Sequence, residues 1–161
     1  NPKGDPVRGT FEQNIKNVER DFWGRRFKTY ADWKQAWFDE YLHNGYFDML
    51  TGFRCNGVYN RKEATNYPIQ GASFHCLLWV LIRLQEWLNK YRMKTKIVGQ
   101  IHDSILLDAV KRELADVIHK IKKLITVELP KAWPWLIVPL TVEIEGSDQN
   151  WFEKKPLELT V

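Results

Sequence analysis

The order of elements predicts an α+β fold with a mostly antiparallel sheet and helices packed on one of its faces. Three observations carry this. Helical periodicity dominates the chain up to about residue 91. Strand alternation occurs only in short stretches bounded by turn residues. The two clearest strands flank a tight turn, an arrangement that only an antiparallel pair allows.

The elements follow in order. Residues 1–9 hold two Pro and two Gly and read as an entry arm. Thr10 offers an N-cap, with Gln13 three residues on. Phe11, Ile15, Val18, Phe22 and Trp23 recur at helical spacing, which predicts a helix over 11–27. A second helix is predicted over 31–43, with Trp33, Trp37 and Tyr41 on one stripe and Asn44-Gly45 as its stop. From 46 to 59 the pattern changes. Apolar runs around Thr51-Gly52, followed by Asn56-Gly57, read as a small β-hairpin. Residues 61–67 are polar and lead to Pro68, so the next helix is expected from Ile69 to about Tyr91. Its centre is apolar nearly all round, which predicts burial in the assembled protein. Residues 93–110 read as two strands about His102-Asp103-Ser104. An amphipathic helix over 111–128 carries Leu114, Val117, Ile118, Ile121, Leu124 and Ile125 on one face and Lys111, Arg112, Lys120, Lys122 and Lys123 on the other, with Pro130 and Pro134 ending it. A last strand is expected over 138–145, with Pro139 suiting its start or an edge.

Composition narrows the function classes. The chain has 161 residues, 44% hydrophobic and 27% charged, which is ordinary for a globular domain and excludes a disordered tail, a collagen repeat or a disulfide scaffold. The longest apolar run, Leu-Leu-Trp-Val-Leu-Ile at 77–82, falls far short of the roughly 20 residues that span a bilayer. No apolar signal segment opens the chain. Cys55 and Cys76 suit a reducing, cytoplasmic setting as free thiols. Twenty-four Lys and Arg against 20 Asp and Glu give a net charge of +4, which suits an anionic partner. Aromatics at 14% suggest an extended interface as well as a core. A first residue other than Met suggests a cut, processed or excerpted chain.

Asp103 is the first chemical candidate. A carboxylate at a tight turn between two apolar strands is held rigidly yet reaches solvent, which suits a hard cation such as Mg²⁺. The plainer alternative is a turn aspartate bonding its own backbone. His102 beside it is either a chemical neighbour or a polar turn residue. Asn66, Pro68, Gln70 and Gly71 form the second candidate. Amides there could read base edges, or simply cap a helix. Arg61, Lys62 and Arg54 could meet phosphates or water. The Lys-rich face over 111–123 could likewise track a nucleic-acid backbone or be solvated. The two cysteines with four His complete no tetrahedral zinc set. His75-Cys76 reads as core rather than a catalytic dyad. There is neither a Gly-x-Ser-x-Gly elbow nor a phosphate-binding Gly-Lys loop.

Taken together, Asn66-Tyr67-Pro68-Ile69-Gln70-Gly71 followed by Gly99-Gln100-Ile101-His102-Asp103-Ser104 resembles the C-terminal palm of family A DNA polymerases. The first string is similar to the family's Asn-x-Pro-x-Gln-Gly segment, and the second to its motif C, Gln-x-His-Asp-Glu. Gly45-Tyr46-Phe47 through Thr51-Gly52-Phe53-Arg54 resembles the hairpin before them. Val138-Pro139-Leu140 through Asn150-Trp151 resembles the C-terminal strand and tail. Order and spacing agree over about residues 10–152. Compact loops and Ser104 suggest a phage-type member.

The resemblance implies a palm-type antiparallel sheet preceded by helices of the fingers region. Residues 1–60 would be the end of the fingers-like part with its hairpin, and 61–161 the palm portion. It implies template-directed transfer of dNTPs to a primer 3′-hydroxyl. Asp103 would be one of two metal-binding aspartates sharing two Mg²⁺ ions. His102, Ser104 and Gln100 would lie beside the primer terminus. Asn66 and Gln70 would read minor-groove acceptors of the primer–template. Lys62 would act where the family usually has Arg. Arg61 could meet phosphates, and Arg54 would meet DNA backbone. Two departures stand out. Ser104 replaces the usual Glu and brings no second negative charge, and Lys62 lacks the bidentate fork of Arg. The motif A aspartate and the helix that grips the dNTP have no counterpart, so an N-terminal fragment or subunit is expected to complete the site. The alternative is a degenerate polymerase-like module that only binds DNA.

Overall fold

The computed structural model describes residues 7–157, and the chain divides into two compact units, Asn1–Ile69 and Gln70–Val161. Residues 1–6 of the expected entry arm lie outside the described residues.

In the first unit, α1 (Phe11–Asp21) starts at Thr10, whose hydroxyl accepts from the Gln13 amide at 3.3 Å. A wide π turn over Phe22–Arg26 follows, closed by the Phe27 amide donating to the Phe22 carbonyl. No residue of α1 is buried; its stripe of Phe11, Ile15 and Val18 is open. The second helix, α2 (Lys28–Asn44), begins three residues before the sequence expectation and stops at Gly45, whose φ of 75° is left-handed as the stop requires. Strands β1 (Tyr46–Asp48) and β2 (Arg54–Asn56) form the expected hairpin, pairing Phe47 with Cys55. Tyr41 of α2 holds it. Its hydroxyl donates to the Gly57 carbonyl at 2.7 Å and accepts from the Tyr59 amide at 2.8 Å. Tyr41, Phe47, Met49, Cys55 and Ala64 are this unit's buried cluster.

The third helix departs from the sequence expectation. This helix, α3 (Arg61–Lys90), has Pro68 inside rather than before it. The polar stretch that reads as a lead-in is its first two turns. A reciprocal capping box starts it. Asn60 Oδ1 accepts from the Glu63 amide at 3.0 Å, and Glu63 returns a carboxylate oxygen to the Asn60 amide at 2.9 Å.

In the second unit, the later turns of α3 pack against an amphipathic helix. Val80, Leu84 and Leu88 of α3 meet Val117, Ile121, Leu124 and Leu129 in one buried cluster. The expected apolar face over 111–128 is thus the face that is buried. The burial expected of α3 concerns the assembled protein; in this chain by itself one stripe is uncovered. Phe74, Leu78 and Ile82 form an open stripe at four-residue spacing. The amphipathic segment is a 3₁₀ turn (Lys111–Glu113), α4 (Leu114–Lys123), a π turn (Leu124–Glu128) and α5 (Leu129–Ala132). Pro130 does not end it. The wide turn restarts the helical register, so Pro130 falls in the first turn of α5, where a missing N–H costs little. The helix ends before Pro134, as X-Pro sterics require.

Strands β3 (Lys96–Ile101) and β4 (Ser104–Asp108) form an antiparallel hairpin with a bulge between Ile97 and Gly99. The strand expected over 138–145 is reduced to β5 (Glu145–Gly146), paired with β6 (Lys155–Pro156). Leu140, Val142 and Ile144 still alternate inward with an outward Thr141 and Glu143. A strand needs a neighbouring edge, and among the described residues no strand pairs with 138–144, where the Leu157 amide reaches the Ile144 carbonyl at 2.9 Å. The strand pairs are therefore three separate antiparallel two-stranded sheets rather than one.

Candidate active site

The second unit carries the catalytic candidates on the β3–β4 hairpin. Ile101 pairs with Ser104, leaving His102 and Asp103 as its two-residue turn. His102 has a φ of 52°, the left-handed backbone that two-residue hairpin turns need at a central position. The Gln100 side-chain amide donates to the His102 carbonyl and braces the bend. Gln100, His102, Asp103 and Ser104 are all exposed. Among the described residues no hydrogen bond or ion pair takes the Asp103 carboxylate.

The base of the same hairpin is heavily satisfied. Buried Glu113 accepts from the Lys94 amide at 3.0 Å, and from the Thr95 amide and hydroxyl at 2.8 Å each. Thr95 Oγ1 in turn accepts from the Val110 amide at 3.2 Å. One carboxylate thereby ties the entry of β3 to the exit of β4. The Lys94 amide and the Thr95 donors hold the Glu113 carboxyl below its usual range. No feature of the sequence singles out Glu113, because its partners are mostly backbone amides.

In the first unit, Lys62 and Asn66 lie one helical step apart in the opening turns of α3, and neither side chain has a hydrogen-bond partner among the described residues. Gln70 follows one step later on the same helix, in the second unit, and is exposed. Arg61 is engaged; its guanidinium donates to Gln35 Oε1 at 2.5 Å. Thr65 is buried, and its hydroxyl donates to the Arg61 carbonyl at 2.8 Å. Arg54 is also engaged. Its fork donates to both Asp48 oxygens at 2.7 Å, and it lies over the Tyr46 ring at 4.0 Å. The pair raises the Arg54 pKa and lowers that of Asp48. The Asn60–Glu63 box is legible as Asn-x-x-Glu; read that way, it would have started α3 correctly.

A divalent cation takes several oxygen ligands. Asp103 fits as one of them, being exposed and unpartnered. Among the described residues no group of three or more His, Cys, Asp or Glu side chains stands close enough to hold a metal ion. Cys55 and Cys76 are free thiols, both pushed up in pKa by burial. No helix among the described residues is long and apolar enough to cross a membrane.

Comparison with known proteins locates these features in a family. Residues 23–153 match the family model described as DNA polymerase family A. The chain is 27% identical over 156 residues to the thermostable DNA polymerase I of Thermus thermophilus, covering 90% of this chain and 18% of that protein. It is 35% identical over 94 residues to DNA polymerase I of Lactococcus lactis subsp. cremoris, covering 58% of this chain and 10% of the relative. It is 39% identical over 61 residues to the DNA polymerase of Bacillus phage SP01, covering 38% and 7%. The polymerase domain of Pol1 from M. smegmatis, solved with DNA primer-template and dNTP, superposes with a TM-score of 0.65 at 20% identity, covering 81% of this chain and 24% of that one. The chain thus spans under a fifth of the length of these curated relatives. The family match covers both the α3 opening and the His102–Asp103 turn, and this chain belongs to DNA polymerase family A.

Proposed function

We propose that the chain is the C-terminal part of a DNA-directed DNA polymerase that transfers dNTPs to a primer 3′-hydroxyl. The observation that carries this reading is the unpartnered Asp103 carboxylate at the apex of a hairpin whose base is clamped by Glu113. A rigid scaffold presenting one free charge suits a group that must meet a ligand without reorganising.

In this reading residues 1–60 are the end of the fingers-like part and 61–161 the palm portion. Asp103 is one carboxylate of a site for two Mg²⁺ ions, completed by a motif A aspartate from an N-terminal polymerase fragment or subunit. When bound, such ions supply a lowered pKa at the primer hydroxyl and positive charge beside the leaving pyrophosphate. His102, Gln100 and Ser104 line the primer terminus at the turn. Asn66 and Gln70 donate to minor-groove acceptors that correct base pairs share, and Lys62 and Arg61 meet phosphates. Arg54 reaches DNA backbone only by exchanging Asp48 for a phosphate. Primer–template and dNTP are the ligands of the M. smegmatis relative by its description, which supports the same partners here. The cytoplasm of a bacterium or phage-infected cell is the matching location.

A second reading, a degenerate module that binds DNA without catalysis, draws on Ser104, a hydroxyl where the family resemblance expects Glu. Asp103→Asn in the assembled polymerase separates the two. A fall in primer extension of about 10³-fold or more with DNA affinity unchanged supports catalysis, since removing one metal ligand from a polymerase site raises the barrier by about 4 kcal/mol. Unchanged extension removes Asp103 from the chemistry.

A further inference from the structure

Pro68 lies in the interior of α3 and has no N–H. The carbonyl four residues earlier, that of Ala64, therefore loses its helical donor. Ala64 is fully buried, so water is a poor substitute. The structure supplies another donor. The Trp37 indole Nε1–H reaches the Ala64 carbonyl at 2.9 Å from α2. The indole ring is itself held between neighbours, stacked on Trp33 at 5.8 Å and tilted against Phe47 at 5.7 Å.

We propose that Trp37 is a positioning residue, whose indole N–H replaces the helical donor Pro68 lacks and so fixes the opening turns of α3 that present Lys62 and Asn66. This rests on the reading of Lys62 and Asn66 as DNA contacts. The bond does two things at once. It satisfies an orphaned buried acceptor, and it anchors α3 to α2 at the turn between Lys62 and Pro68. Without it, the Ala64 carbonyl must tilt outward to find water, and the side chains of the preceding turn rotate with it.

The test is a rescue. Trp37→Phe removes the N–H and leaves an aromatic ring. Pro68→Ala restores an amide that can donate to Ala64 in the ordinary helical way. Wild type, both single variants and the double variant are compared by amide hydrogen exchange over residues 61–67 and by affinity for a labelled primer–template duplex, with Lys62→Ala as reference. Trp37→Phe is expected to speed exchange over that segment and weaken DNA binding by about fivefold, the scale of one lost hydrogen bond. The double variant is expected to return to the level of Pro68→Ala in both. Trp37→Phe and the double variant both lack the indole, so the recovery from the first to the second reads the hydrogen bond to the Ala64 carbonyl. Unchanged exchange in Trp37→Phe, or a double variant no better than that single one, overturns the proposal. Should Trp37→Phe fail to fold, folding of the double variant supports it and continued failure overturns it. Lys62→Ala without effect on DNA binding would overturn the DNA reading and the positioning role with it, while the exchange arm still reads the bond.

Discussion

The two longer hairpins, one in each unit, treat charge in opposite ways. At β1–β2 the charges answer each other. Arg54 grips Asp48 with both arms of its fork and covers Tyr46. At β3–β4 the satisfied carboxylate, Glu113, sits at the base, and the apex carboxylate, Asp103, has no partner among the described residues. The first hairpin is closed on itself. The second is rigid below and open above. A charge already paired must trade its partner to bind anything else, which costs about what it gains at an exposed site. An unpaired charge on a braced turn has no such exchange to make, which is why the proposed function gives the chemistry to Asp103 rather than to Arg54.

The comparison can be broken in four places, with declining effect. Asp103→Asn carries the largest expected change, about 10³-fold in primer extension by the assembled polymerase. Equal loss from Asp48→Asn would erase the distinction between the hairpins.

Glu113→Gln should loosen the base of β3–β4 and lower the urea midpoint of unfolding at pH 7. Its folded pKa lies below its unfolded value. Its contribution is therefore fully present above the ordinary carboxylate pKa of about 4.3 and is lost as pH falls through the lower folded value. The difference between wild type and Glu113→Gln should shrink from pH 7 to pH 3; a constant difference would show that the charge plays no part.

Lys62→Ala should weaken binding of a primer–template duplex several-fold and flatten its salt dependence by about 0.9 in slope, one phosphate contact. A slope equal to wild type would remove Lys62 from the backbone.

The smallest effect is expected from Asp48→Asn on DNA affinity. Freeing the Arg54 fork to meet phosphate should strengthen binding about twofold and steepen the salt slope. No change at any ionic strength would confine Arg54 to holding its own hairpin.

Much of this was legible in the sequence because it depends on short range. The Thr10 cap, the Asn44-Gly45 stop, both hairpins and the buried face of α4 are each set by a few neighbouring residues, and all are present. The turn at His102–Asp103 belongs to the same class. The family was legible because two motif strings and their spacing are themselves sequence, and the match over residues 23–153 agrees.

What local pattern misjudged depended on distant partners. Pro68 reads as a helix boundary because its own backbone lacks a donor; that the helix continues through it accompanies a donor from Trp37, far away in the chain. Pro130 reads as a stop, and a π turn before it shifts the register so that it is not. Residues 138–144 keep the alternation of a strand, but alternation describes one chain and a ladder needs two. Glu113 left no trace in the pattern because three donors, the Lys94 amide and the Thr95 amide and hydroxyl, reach it only once β3 and the 3₁₀ turn before α4 are side by side. The sequence by itself determined the first two helices, the two longer hairpins, the buried face of α4, the turn that carries Asp103 and the family. Only the tertiary structure decided which polar groups are already answered and which remain open, because a hydrogen bond between distant residues is settled by folding and not by spacing.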